Sequence, residues 1–89
     1  MRFTWNESKR QSNLIKHGLD FKDGPQVFAG ATFSIADTRF DYGEDRFVTV
    51  GLLGGNVVVI VHSEDKDEIR IISMRKGTKN EQKIYFENI

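Results

Sequence analysis

The chain has 89 residues, no cysteine and equal numbers of basic and acidic side chains, 13 Lys+Arg against 13 Asp+Glu. That length makes one domain, residues 1–89, around a single core; the missing thiols exclude disulfides and thiolate metal sites, and zero net charge argues against binding nucleic acid through bulk charge. The longest apolar run, Val57 to Val61, is too short to cross a bilayer, and no basic-then-apolar leader opens the chain, so no membrane contact and a cytoplasmic location are expected.

Taken in chain order, Phe3 and Trp5 alternate with Arg2 and Thr4, a short strand signal. Asn6 is an N-cap for a helix over residues 7–16, whose apolar stripe is only Leu14 and Ile15; His17 sits at its C-terminus, and Gly18 supplies the left-handed residue that ends it. Asp20 or Asp23 caps a second, shorter helix reaching about Ala29, with Val27 and Phe28 as its buried contacts and Pro25 in its first turn. Strands follow at residues 33–37, 47–53, 56–62 and 69–75, the middle pair joined by a Gly54-Gly55 hairpin turn. Thr78 with Glu81 three residues on is a capping-box pattern for a last helix carrying Ile84, Tyr85 and Phe86. The expected fold is therefore α+β: two N-terminal helices packed on an antiparallel meander of about four strands, plus a short N-terminal strand and a C-terminal helix.

The hairpin sets a register in which Val50 faces Val59 and Phe47 faces His62. One face then carries Val48, Val50, Leu52, Val57, Val59 and Val61, and is the expected seat of the helices. The other carries Phe47, Thr49, Gly51, Val58, Ile60 and His62. In the simplest register, Arg70 shares the first face with Arg46, about 10 Å away across one strand, while Arg75 points from the second face, about 17 Å along the strand from Arg70.

Charge is unevenly spread. Arg70, Arg75, Lys76, Lys79 and Lys83 gather around the last strand and helix with Glu81 as the only acid between them. No phosphate loop, dinucleotide fingerprint or metalloprotease motif is present, the histidines lack spaced metal partners, and no cofactor is implied. Two histidines, several arginines and a late tyrosine suit metal-free RNA cleavage. A base takes the ribose 2′-hydroxyl proton, arginines neutralise charge building on the phosphate, and an acid protonates the leaving 5′-oxygen.

The order of motifs adds a family resemblance. F-T-W-N-E-S-K, N-L-I-K-H-G-L-D-F, G-E-D-R, V-H-S-E-D and R-I-I-S-M-R-K-G-T-K-N-E-Q-K-I-Y run from end to end of the chain. Together they resemble the BrnT family of type II toxins, small ribonucleases with a RelE-like fold. The resemblance implies an endoribonuclease that arrests growth. It also implies an RNA substrate and a BrnA-like ribbon-helix-helix antitoxin, through which alone the complex meets DNA. Carried over by position, the catalytic candidates are His17, Arg46, His62, Arg70 and Arg75, with Glu44, Lys76 and Tyr85 binding RNA or supporting. Met74, Gly77 and Gly24-Pro25 depart from the family's usual residues, the last weakening the second helix. The other readings are a catalytically inactive subunit that acts as a binding partner or co-repressor with the antitoxin, and a gyrase-directed toxin on the same fold.

Overall fold

In the computed structural model, which describes residues 1–39 and 41–89, the chain opens with strand β1 (Arg2–Trp5) and helix α1 (Glu7–His17). The Asn6 side chain accepts from the Lys9 amide at 3.1 Å, and Gly18, at φ 70°, donates its amide to the Leu14 carbonyl. Asp20 caps a 3₁₀ turn (Phe21–Asp23) by accepting from the Lys22 amide, and the five-residue helix α2 (Gly24–Phe28) follows directly, with Pro25 in its first turn. Asp23 makes no such cap. Strands β2 (Phe33–Asp37), β3 (Arg46–Leu53), β4 (Asn56–Asp65) and β5 (Glu68–Lys76) come next, then helix α3 (Lys79–Glu87). The Thr78–Glu81 capping box is formed in both directions. No described helix is long and apolar enough to cross a membrane.

The result is an α+β fold with three helices and a five-stranded mixed sheet in the order β1-β5-β4-β3-β2. β2 to β5 form the antiparallel meander, with the hairpin register as read from Gly54-Gly55: Val50 opposite Val59, Phe47 opposite His62. β1 lies parallel to β5, pairing Arg2 with Glu68 and Trp5 with Ile71.

The helices are not all where the apolar pattern of the hairpin predicts. α1 and α2 lie on the Thr49, Gly51, Val58, Ile60 and His62 face, where Phe21, Val27, Val58, Ile60, Ile69, Ile71 and Met74 form the larger core. The valine face is covered by α3 alone, through Tyr85 against Val50, Val57 and Val59. Glycine explains the choice. A Cβ on Gly51 would sit 2.7 Å from Val27 and 2.9 Å from Thr32, and one on Gly24 would collide with Ile71, so both bare backbones let α2 approach closely. Gly24 therefore seats α2 rather than weakening it. α1 differs too: Ile15 is 88% exposed and Leu14 39%, while Asn13 is the buried residue of that helix.

A bulge in β5 decides which residues share a face. His62 pairs with Ile71 but Val61 pairs with Ser73, leaving Ile72 as the extra residue. In an unbroken strand Arg70 and Arg75, five positions apart, point to opposite faces. Across the bulge, Arg70 lies opposite Ser63 and Arg75 opposite Val59, both on the α3 side.

Candidate functional site

Beyond the reach of Tyr85, the α3 side of the sheet is only half covered. Val48, Val61 and Ser73 are partly exposed there, and Ile35 is exposed at the β2 edge. At its far end the ladder aligns Asp37, Arg46, Ser63, Arg70 and Thr4 across all five strands. Arg46 and Arg70 flank the buried Ser63, about 10 Å apart at ordinary strand spacing. Arg75 stands about 13 Å up the strand from Arg70, on the same face rather than the opposite one.

The arginines differ in what holds them. Arg70 is exposed, and its side chain makes no hydrogen bond or ion pair among the described residues. Arg75 is bound bidentately by Glu81, Nη1 to Oε1 at 2.7 Å and Nη2 to Oε2 at 2.9 Å, which ties β5 to the first turn of α3. That guanidinium, aided by the capping hydrogen bonds of Thr78 and opposed by burial, lowers the Glu81 pKa to about 2. Arg46 lies over the Tyr42 ring, its guanidinium carbon 4.0 Å from the centroid, with Glu44 at 3.7 Å from Nη2. Beside it a cleft of about 570 Å³ is lined by Asp37, Asp41, Glu44 and Asp45 as well as Arg39 and Arg46. Those acids make that side of Arg46 unfavourable for a phosphate; across the strands on its other side lie Ser63 and Arg70.

The other sequence candidates are not gathered here. His62 is fully buried on the opposite face, between Phe28 (edge-on, 5.0 Å) and Phe47 (stacked, 5.8 Å). Its Nε2 is 2.6 Å from the Thr49 hydroxyl, which in turn lies 2.6 Å from Ser34 Oγ. Burial pushes its pKa below the usual histidine value, against the pull of Glu64. His17 ends α1, in the layer packed on that same far side. Tyr85 is 1% exposed and donates its hydroxyl to the Ala31 carbonyl at 2.8 Å, a core side chain that seats α3. Lys76 is exposed at the end of β5, opposite Val58. Among the described residues no three His, Asp or Glu side chains gather as a metal site.

Residues 5–81 match the family model described as ribonuclease toxin, BrnT, of type II toxin–antitoxin system. The chain belongs to that family. No curated protein matches it. Membership makes it a ribonuclease toxin of a type II system, with an antitoxin as partner. Within the matched span, the strand register points to Arg46 and Arg70 and the family resemblance adds Glu44, but neither points to Tyr42, Asp37 or Ser63. The signal for Tyr42 is its place as an aromatic four residues before Arg46; for Ser63, only the strand register reveals it.

Proposed function

We propose that the chain is a metal-independent endoribonuclease in which Arg46 and Arg70 grip the scissile phosphate above Ser63. The observation that carries this reading is the β5 bulge, which sets Arg46, Arg70 and Arg75 around one open face of a family ribonuclease. The ribose 2′-oxygen attacks the phosphorus in line and the bond to the 5′-oxygen breaks, leaving a 2′,3′-cyclic phosphate. The two guanidinium groups neutralise the charge that grows on the non-bridging oxygens. The 2′-hydroxyl proton passes to water and the leaving oxygen takes its proton from water, both at the open face, while Glu44 supports Arg46 from the side. Arg75 holds α3 at the rim and contacts the RNA backbone with its exposed edge. His62, His17 and Tyr85 act through the fold, not on the substrate. The chain works in the cytoplasm, on a RelE-like scaffold, and a ribbon-helix-helix antitoxin silences it, with Phe86 and Ile89, 63% and 57% exposed, as apolar anchors for that partner.

A second reading, an inactive subunit serving as co-repressor with its antitoxin, is favoured by one observation. The buried His62 and the hydrogen-bonded Tyr85 leave the arginine face without a histidine or tyrosine from the sequence candidates. Incubating the purified protein with RNA in EDTA separates the two. The endoribonuclease gives fragments ending in 2′,3′-cyclic phosphate, and Arg46→Ala with Arg70→Ala lowers cleavage at least a hundredfold, in line with the loss of charge-stabilising donors. Intact RNA, or undiminished cleavage by the double variant, overturns the assignment.

A further inference from the structure

Asp37 and Arg46 are direct cross-strand partners, the arrangement in which an acid and an arginine ordinarily join. They do not. Both carboxylate oxygens of Asp37 are engaged elsewhere: Oδ1 accepts from Arg39 Nε at 3.0 Å, and Oδ2 accepts from Arg39 Nη2 at 3.1 Å and from the Tyr42 hydroxyl at 3.2 Å. Arg46 is instead held through the Tyr42 ring, and its Nε is buried with no hydrogen-bond acceptor among the described residues. The contact with Glu44, at 3.7 Å, is too long for a hydrogen bond. A buried donor left unsatisfied costs stability and calls for a reason.

We infer that Tyr42, itself anchored by Asp37, is a positioning residue that fixes the Arg46 guanidinium by its ring alone and so keeps the arginine's donors available for an RNA phosphate. A flat aromatic face fixes the plane of a guanidinium without consuming any N–H, whereas a carboxylate in the same place takes two of them. The Asp37 carboxylate, 2% exposed, holds the Tyr42 hydroxyl and the Arg39 fork, and so is kept from Arg46. The inference deepens the phosphate role proposed for Arg46 and rests on it.

The test measures RNA cleavage by the full chain as a function of substrate and salt concentration. Arg46→Ala comes first: if KM and its salt dependence are unchanged, the phosphate role falls and this inference with it. With Arg46→Ala impaired, Tyr42→Leu is expected to raise KM roughly three- to thirtyfold, the range spanned by cation–π contacts. It also lowers the slope of log KM against log salt by about 0.7, the signature of one lost phosphate contact on a single strand. Tyr42→Trp, which keeps a π face, stays near wild type, and thermal melting reports whether each variant is folded. A fold defect alone lowers the active fraction without changing KM or the salt slope. Wild-type KM and slope in folded Tyr42→Leu overturn the inference while leaving the role of Arg46 standing. For a variant that does not fold, the wild-type protein gives the same answer by NMR. The Arg46 Nη–H resonances shift on adding a 2′-deoxy oligonucleotide if those donors are free for phosphate, and unmoved resonances overturn the inference.

Discussion

Asn13 grips the backbone of Met74 from both sides: its Oδ1 accepts the Met74 amide at 3.2 Å and its Nδ2 donates to the Met74 carbonyl at 2.9 Å. Met74 lies beyond Trp5–Ile71, the last pair between β1 and β5, so this edge of β5 has run out of strand partner. The amide of Asn13 stands in for one, and Nδ2 also reaches the Leu19 carbonyl where the chain leaves α1.

Removing that side chain exposes a buried amide and carbonyl to nothing that can bond them. Asn13→Leu is expected to destabilise the fold by about 2–4 kcal/mol, from two unsatisfied backbone groups at about 1–3 kcal/mol each, part recovered by relaxation and water. Urea unfolding monitored at Trp5 measures it; a loss below about 0.5 kcal/mol means that the pair does not hold α1 to the sheet.

Glu81 joins Arg75 to the N-terminus of α3 and closes the capping box through the Thr78 amide at 2.9 Å. Its folded pKa of about 2 lies below the ordinary carboxylate value of 4.5. A depressed carboxylate stabilises the fold above its unfolded pKa and loses that contribution as pH falls toward the folded one. Stability therefore declines between about pH 4.5 and 2 in the wild type. Glu81→Gln, expected to cost about 1–3 kcal/mol at neutral pH, flattens that part of the acid profile. Chemical denaturation across the acid range distinguishes the two, since an unchanged profile removes Glu81 from the account.

His62 carries the opposite proton logic. It is buried and its pKa is lowered by desolvation, so the unfolded chain binds a proton that the folded one refuses. Stability falls as pH drops below the ordinary histidine value of 6.5, with a slope of at most about 1.4 kcal/mol per pH unit for one proton. His62→Gln abolishes this slope while losing the packing between Phe28 and Phe47. Per folded molecule, RNA cleavage by His62→Gln stays within a few-fold of wild type. A loss of several orders of magnitude with the fold intact returns His62 to the chemistry.

Much of the architecture is legible in the residues because local chemistry and tertiary outcome agree there. Asn6, Gly18, Thr78 with Glu81, and Gly54-Gly55 each set an element boundary that the structure keeps. The faces of the sheet are harder. Val48, Val50, Val57, Val59 and Val61 look like the deeper face, yet Gly51 and Gly24 create room on the other, and close approach outweighs apolar count. The β5 bulge has no marker at all, since Ile72 is neither glycine nor proline and only the pairing of His62 and Val61 shows the skip. That single unpaired residue is why the sequence places Arg75 on the wrong side. For His62, a strand histidine taken alone reads more often as a hydrogen-bonded structural residue; the family resemblance makes it a catalytic candidate, and the aromatic rings around it decide for burial.

The parallel pairing of β1 with β5 bears on how the chain is made. Arg2 and Phe3 pair with Glu68 and Ile69, which leave the ribosome only after β2, β3 and β4, and Tyr85 follows β5. β1 waits for β5, a long-range closure of the kind that slows folding. Arg46 and Arg70 meet across Ser63 only after β5 has been translated. The arginine face is therefore the product of a late folding step rather than of local structure, since Arg70 has no place beside Ser63 until β5 joins the sheet.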